Sequence, residues 1–259
     1  MRTLILGYAV TALSCVNTVS AEQLSQPTLA ADSERVVLLH GLGRSKKAML
    51  LLEYRLIKAG FEVHNIGYPS REEGPDALLQ LVGEQVEACC TGDGRVVHFV
   101  AHSLGGLIVR AYLDQRPSLR LGRAVLLGTP NQGSRLVDRF GDLQLFELLA
   151  GPTAKVLGTD ASSFPRKIGL PYYPIGIIAG SRTLNPLSDK LLAGESDGAV
   201  ALENTKLEGM TDFLIVDTGH TFMRYSAEVA AEVIHFLQHG RFSWSELSGS
   251  SIGSPRSDP

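Results

Sequence analysis

The sequence lacks the patterns that mark metal sites and nucleic-acid surfaces. Its 259 residues include three cysteines, none of them paired at the spacing of metal ligands, and the zinc motif His-Glu-x-x-His is missing. We therefore predict no metal site, although single aspartates leave a structural calcium ion open. The formal net charge is −3, and no run of lysine and arginine occurs, which excludes the basic footprint of a nucleic-acid-binding protein. No internal repeat is present.

The N-terminal segment combines a basic residue with a short apolar stretch. Arg2 precedes an apolar stretch from Leu4 to Leu13, and Val19-Ser20-Ala21 fits the small-residue pattern of a signal-peptidase site. The stretch falls well short of the roughly 20 residues that span a bilayer, so we favour a cleaved signal peptide over an uncleaved anchor. Lipid attachment at Cys15 is the third option, less favoured because alanine leads its lipobox. We expect an exported protein, periplasmic or secreted, with residues 1–21 as the signal peptide.

Two neighbouring cysteines, Cys89 and Cys90, remain beyond that segment. A bond between adjacent residues closes almost no loop and strains the peptide, so it is not an ordinary structural staple. We favour two cysteines at the end of a helix, one of them buried. Their redox state stays open.

The remaining chain has the length and pattern of one α/β domain, placed at residues 22–242. Short apolar runs alternate with helical patterns, which predicts a mostly parallel sheet of about six strands flanked by helices. The predicted strands are Arg35–His40, Phe61–Tyr68, Arg95–Ala101, Arg123–Leu127, Tyr173–Ala179 and Asp212–Asp217. The predicted helices are Lys46–Ala59, Pro75–Cys89, Leu104–Gln115 and Thr221–Gln238.

One long segment interrupts this alternation. More than forty residues without a strand separate Leu127 from Tyr173, and a connection of that length usually has helices or a function of its own. We predict a small helical cap at about residues 131–170 that offers apolar surface to a substrate. An ordinary pair of packing helices is the alternative. Residues 243–259 are rich in serine, glycine and proline and are predicted to be a disordered tail.

The segment 97–106 carries the strongest functional signal. An apolar, β-branched run ends at Ser103, with the small residues Ala101 and Gly105 two positions to either side. This is the pattern of a nucleophile elbow, Gly-x-Ser-x-Gly, in which a sharp strand-to-helix turn exposes the serine hydroxyl. Alanine replaces the first glycine and is still small. A serine needs a base to take its proton and donors for an oxyanion, so partners are expected later in the chain.

His220 is the predicted base. It follows the last strand directly and precedes the last helix, and catalytic groups gather at the carboxyl ends of strands in open α/β sheets. The other candidates fit less well because they lie within strands or on the last helix: His64, His98, His235 and His239.

Asp197 is the predicted acid, since it follows the preceding strand and comes before the base in the chain order serine, acid, histidine. It would fix the imidazole tautomer and stabilise the imidazolium. The competing carboxylates are Asp189, Glu195 and Asp217. Asp217 has the poorer predicted geometry because it lies three residues from His220 and still on the strand.

Two backbone N–H groups are predicted to hold the oxyanion. Leu104 follows the nucleophile at a helix N-terminus, where free N–H groups favour negative charge. Leu42 lies in the glycine-flanked loop His40-Gly41-Leu42-Gly43 after the first strand, and its N–H is the second donor. We expect His40 to be structural.

These segments resemble the α/β-hydrolase family, in particular the exported bacterial lipase- and esterase-like branch related to class 2 lipases and to deacylases of glycolipid anchors. The resemblance extends from about Arg35 to Arg241. Its motifs are His40-Gly41-Leu42-Gly43, Ala101-His102-Ser103-Leu104-Gly105-Gly106, Gly128-Thr129-Pro130-Asn131-Gln132-Gly133-Ser134, Ser196-Asp197-Gly198 and Gly219-His220. The family implies hydrolysis of small-molecule or lipid esters by a serine esterase or lipase, through an acyl-serine intermediate and without a cofactor.

Several alternatives remain open at this stage. The same triad could serve a thioesterase, an amidase or an acyltransferase, because one fold hosts all of these activities. A non-catalytic binding or assembly factor on the same fold is the alternative from another class. The cap could make transient contact with a lipid surface. Acyl-chain length and oligomeric state are not determined by the sequence.

Overall fold

The computed structural model describes residues 30, 32–115, 119–140, 151–183, 190–192 and 194–244. The predicted signal peptide, Cys15 and Asp189 lie outside these residues, as do positions 141–150 of the predicted cap and positions 245–259 of the predicted tail. The division into signal peptide, domain and tail therefore stays a prediction.

A six-stranded, wholly parallel sheet forms the centre of the described chain, in the order β2-β1-β3-β4-β5-β6. This confirms the predicted fold class. The strands are β1 Arg35–Leu39, β2 Glu62–Ile66, β3 Val97–His102, β4 Leu121–Leu127, β5 Ile175–Gly180 and β6 Asp212–Val216. Because all six are parallel, their carboxyl ends meet at one edge of the sheet, which we call the catalytic edge.

Helices cover both faces of the sheet. They are α1 Leu50–Lys58, α2 Pro75–Cys90, α3 Leu104–Gln115, α4 Arg135–Phe140, α5 Pro152–Lys155, α6 Phe164–Lys167, α7 Leu202–Thr205 and α8 Ala227–His239. Side chains of β1 alternate between the faces: Val37 and Leu39 join the core beneath α2 and α3, whereas Val36 and Leu38 join the core beneath α1 and α8. Burial on both faces explains the continuous apolar runs of these strands.

The last predicted helix is divided. A short 3₁₀ helix, Met223–Tyr225, comes first, and α8 begins only at Ala227. The separation arises at Ser226, which is extended and whose hydroxyl accepts a hydrogen bond from the Val229 N–H at 3.2 Å, capping α8. The first predicted helix begins with a 3₁₀ helix, Lys46–Met49, which continues directly into α1.

The described parts of the cap region contain three short helices, α4, α5 and α6. Val137 and Leu157 from this region are buried in the main core. The region is therefore packed onto the domain through its own apolar residues. Within the described residues, no helix is long and apolar enough to cross a membrane.

The two neighbouring cysteines, whose redox state the sequence left open, are paired. Cys89 and Cys90 form a disulfide at the C-terminal end of α2, and Cys90 is buried as expected. Thr91 is already extended, so Cys90 is held by helical neighbours on one side only, and the two side chains can meet. A bond between neighbours constrains the unfolded chain little.

Candidate active site

A strained turn presents Ser103 at the catalytic edge. β3 ends at His102, α3 begins at Leu104, and Ser103 between them has a φ of 56°, the only positive φ of a non-glycine residue in the described chain. Such a conformation costs of order 1–3 kcal/mol and persists only where the surroundings enforce it. A Cβ on Gly105 would lie 2.6 Å from the carbonyl oxygen of His40. The glycine therefore lets α3 approach the neighbouring loop closely.

The structure brings Ser103, His220 and Asp197 into one hydrogen-bonded chain. The Ser103 hydroxyl donates to Nε2 of His220 at 3.0 Å. The Nδ1–H of His220 donates to Oδ2 of Asp197 at 2.7 Å. The three residues follow β3, β6 and β5, so distant parts of the sequence meet at one edge. The tautomer with its proton on Nδ1 leaves Nε2 free to accept the serine proton.

Backbone amides hold the carboxylate of Asp197 in place. Its Oδ1 accepts from the N–H groups of Ala199 and Val200 at 2.9 and 2.8 Å, which turns Oδ2 toward His220. The side chain of Asp197 is 1% exposed, whereas that of His220 is 17% exposed. The acid is therefore shielded, while the base is open to a bound molecule.

The other carboxylates considered as the catalytic acid are not seen among the hydrogen bonds that join Ser103, His220 and Asp197. Asp217 forms an ion pair with Arg182 at the surface. Glu195 has no side-chain hydrogen bond among the described residues, and Asp189 lies outside them. Of the carboxylates weighed from the sequence, Asp197 alone in the described chain contacts His220.

His102 is a site residue that the sequence reasoning missed. It is buried, and its Nε2–H donates to the backbone carbonyl of His220 at 2.8 Å. Burial, together with the charges of nearby His220, Arg224 and Arg44, holds the pKa of His102 well below its usual range. It therefore acts as a neutral donor. Its position directly before the serine was the only sequence signal.

The other histidines have contacts elsewhere. His98 donates to Glu34 and accepts from the Arg123 N–H, and burial lowers its pKa. His64 contacts Glu62 on β2. His235 and His239 contact each other on the outer part of α8. None of these four contacts Ser103 or Asp197.

The loop after β1 lies against the nucleophile. A Cβ on Gly41 would lie 2.9 Å from the Cβ of Ser103, so Leu42 follows a point of close backbone approach. Leu104 is the first residue of α3. Within the described residues, neither the Leu42 nor the Leu104 N–H donates a hydrogen bond to the protein. Both amides are therefore free for a ligand.

His40 and Tyr68 stabilise this loop by ring stacking and hydrogen bonds. Their rings stack with centroids 4.2 Å apart and an interplanar angle of 8°. The Tyr68 hydroxyl donates to the carbonyl oxygen of His40, and the Nδ1–H of His40 donates to the Gly41 carbonyl. Burial lowers the pKa of His40 and raises that of Tyr68, so both stay uncharged at neutral pH. These are the contacts of structural residues.

The described residues contain one group of side chains with metal-ligand geometry. Ligand atoms of His64, Cys89 and Cys90 lie within 4.8 Å of one another. The two sulfurs are joined to each other, and a metal needs free thiolates. The group in this state does not fit a metal ion.

Comparisons with known proteins concern the family and the fold of the chain. The family model of palmitoyl protein thioesterases matches residues 35–162, just under half of the chain. This region includes Ser103, Leu42 and Leu104 but neither Asp197 nor His220. Among curated proteins, none matches this sequence.

Solved structures share the fold at low identity. The mature form of the Bacillus licheniformis lipase BlEst2 superposes with a TM-score of 0.64 at 20% identity, covering 83% of this chain and 94% of that one. Phospholipase PlaB from Legionella pneumophila superposes with a TM-score of 0.63 at 17% identity, covering 82% of this chain and 60% of that one. The match covers 51% of BlEst2 in its propeptide form, so this chain spans about half of that protein. At these identities the likeness concerns the fold.

Proposed function

We propose, from the premise that the chain is an α/β-hydrolase of the lipase and esterase type, that it hydrolyses carboxylic esters through an acyl-serine intermediate. The observation that carries the proposal is the continuous hydrogen-bonded chain from Ser103 through His220 to Asp197. Its geometry supports proton transfer from the serine to the imidazole. The substrate class is a small-molecule or lipid ester.

The first half of the proposed reaction acylates the enzyme. Ser103 Oγ attacks the ester carbonyl while Nε2 of His220 takes its proton. The N–H groups of Leu42 and Leu104 bind the oxygen that becomes negative. His220 then gives its proton to the departing alkoxide, and the alcohol leaves. Asp197 stays ionised throughout and stabilises the imidazolium.

The second half returns the enzyme to its starting state. His220 takes a proton from water, and the resulting hydroxide attacks the acyl-serine carbonyl. The same two N–H groups bind the second oxyanion. The bond to Ser103 Oγ then breaks, His220 returns the proton to that oxygen, and a carboxylic acid is released. The cycle requires no cofactor.

Thioester hydrolysis is the second candidate, favoured by the match of residues 35–162 to the palmitoyl protein thioesterase model. The triad would act identically, with a thiol as the leaving group. Amide hydrolysis, acyl transfer and non-catalytic binding have no observation that favours them. Export through residues 1–21 also remains a proposal.

The test is a matched pair of substrates with one acyl chain, an oxygen ester and the corresponding thioester, assayed with the wild type and Ser103→Ala. We expect hydrolysis of the ester by the wild type and none above background by the variant. A fluorophosphonate probe should label the wild type at Ser103 alone. Labelling elsewhere, or hydrolysis that survives in Ser103→Ala, contradicts the proposal, and a clear preference for the thioester selects the second candidate.

A further inference from the structure

Five large apolar side chains are exposed beside the catalytic edge, and we call them the apolar patch. They are Leu50 (54% exposed), Leu51 (40%), Tyr54 (56%), Phe222 (55%) and Tyr225 (42%). Exposed apolar groups are ordinary when scattered singly, but a cluster indicates an interaction surface.

The patch is one surface because its two halves are tied together. Leu50, Leu51 and Tyr54 lie on one face of α1, at the spacing i, i+1 and i+4, while Phe222 and Tyr225 belong to the turn after His220. The Arg55 side chain crosses between them and donates to the carbonyls of Tyr225 and Ser226 at 3.0 and 2.7 Å. The helix Lys46–Met49 also packs against Met223–Tyr225.

The patch lies next to the opening of the site. α1 and its preceding 3₁₀ helix follow the loop that contains Leu42, and Phe222 comes two residues after His220. The segments that supply the base and one proposed oxyanion donor therefore continue directly into the patch.

The α1 half of the patch lies in a basic stretch, although the whole chain has a net charge of −3. Between positions 44 and 58 there are five basic residues and one acidic residue, Glu53. The basic residues are Arg44, Lys46, Lys47, Arg55 and Lys58. None of them forms a salt bridge with any residue in the described part of the chain. Glu53 accepts a hydrogen bond from Asn65.

We infer that the apolar patch docks on the surface of an anionic lipid bilayer. Exposed apolar groups bordered by basic side chains match a surface with acyl chains below and negative headgroups above. A helix with such a face lies in the plane of the interface. Docking would present membrane esters to Ser103, and this role of the surface rests on the proposed function. The cap, where lipid contact was expected from the sequence, exposes Val156 and Leu170 in its described parts, fewer large apolar side chains than the apolar patch.

The test measures vesicle binding by the full chain carrying Ser103→Ala, so that no lipid is hydrolysed. We expect it to co-sediment with vesicles of equal parts phosphatidylglycerol and phosphatidylcholine, and to bind pure phosphatidylcholine vesicles about tenfold or more weakly. Adding Leu50→Ser, Leu51→Ser and Tyr54→Ser should weaken binding by about tenfold or more. The matched control, Val156→Ser with Leu170→Ser, changes exposed apolar residues of the cap and should bind as before.

Three results overturn the inference: no binding of the Ser103→Ala protein to anionic vesicles, a loss in the cap variant without a loss in the patch variant, or a lipid-free dimer that the patch substitutions dissociate. The last result would assign the patch to a second copy of the chain. With Ser103 intact, the patch variant should hydrolyse a soluble short-chain ester at the wild-type rate, which verifies its fold. A wild type that hydrolyses no soluble ester contradicts the proposed function and leaves the binding result standing.

Discussion

The imidazole of His102 holds the backbone of His220 by donating from Nε2 to its carbonyl oxygen at 2.8 Å. The two rings lie 4.7 Å apart between centroids. The residue before the nucleophile thus positions a base that lies 118 residues away in the sequence. His102 touches neither the reacting hydroxyl nor the acid, so its effect on catalysis acts through the placement of His220.

Replacing His102 by phenylalanine keeps a ring in place and removes the donor. We expect kcat to fall by about 10- to 100-fold, the equivalent of one buried hydrogen bond lost near a transition state, while KM changes little. His102→Gln, which retains a donor, should recover part of kcat. A purely structural role would lower the melting temperature in both variants without this difference in kcat.

The acid can be identified by a pair of isosteric substitutions. Asp197→Asn retains the shape of the side chain but destabilises the imidazolium, so we expect kcat to fall by about 10⁴ with the fold intact. Asp217→Asn is the matched control, because that carboxylate pairs with Arg182 at the surface, and its kcat should equal that of the wild type. Near-normal turnover in Asp197→Asn would assign the acid elsewhere.

The positive φ of Ser103 predicts that the backbone conformation of the nucleophile lowers the stability of the fold. Ser103→Ala and Ser103→Gly should both lose about 10⁶ in turnover, because both lack the nucleophile. Glycine adopts a φ of 56° without the penalty that alanine retains. Ser103→Gly should therefore be more stable than Ser103→Ala by about 1 kcal/mol in urea unfolding. Equal stabilities would show that the turn is not strained.

Tyr68 is expected to support the oxyanion loop. In Tyr68→Phe the stacked ring remains, but the buried carbonyl of His40 loses its donor, which costs about 1–3 kcal/mol of stability. The loop that carries Leu42 should then be less well ordered, and kcat should fall by about tenfold. If the variant is less stable but its kcat is unchanged, the hydrogen bond from Tyr68 to His40 does not contribute to catalysis.

Three buried histidines predict that stability falls in mild acid. Burial lowers the pKa values of His40, His98 and His102, so each binds a proton more readily in the unfolded chain. Their contribution is fully present above the unfolded value near 6.5 and is lost as the pH falls below it. In that range, each of these histidines lowers the free energy of unfolding by at most about 1.4 kcal/mol for every unit by which the pH falls.

Urea unfolding at about pH 7.5 and about pH 5.5 measures this dependence, since most carboxylates remain ionised at both values. We expect the free energy of unfolding to be lower at the acidic value. In His98→Gln, which can still hydrogen bond, the decrease should be smaller by one histidine's share. A free energy of unfolding that does not change over this range would contradict the prediction.

The sheet could be predicted from the sequence because its strands are buried on both faces. Runs such as Val36–Leu39 are apolar without interruption. Such a short, continuous apolar run is typical of a parallel strand that is covered on both faces. The observed strands begin and end within about two residues of the predicted ones, the usual uncertainty of element ends. Chain order together with strand ends also led to Ser103, Asp197 and His220, which the structure brings within hydrogen-bonding distance.

What escaped prediction depends on contacts between distant segments. The bond from His102 to His220 and the stacking of His40 on Tyr68 join residues whose proximity follows only from the assembled sheet. The break before α8, where Ser226 caps the N-terminus of that helix, was not predicted. The apolar spacing of the predicted helix continues on both sides of Ser226. The sequence left the redox state of Cys89 and Cys90 open, and the structure joins them by a disulfide at the end of α2.

The wide separation of the triad in the chain has a consequence for how activity develops. Ser103 follows the central strand β3, whereas Asp197 and His220 follow β5 and β6 on one side of the sheet. Closing contacts over more than a hundred residues is slow relative to forming local structure. Regain of turnover after dilution from denaturant should thus lag behind the return of helical signal, and a polypeptide lacking its final strand would emerge from refolding without a working base.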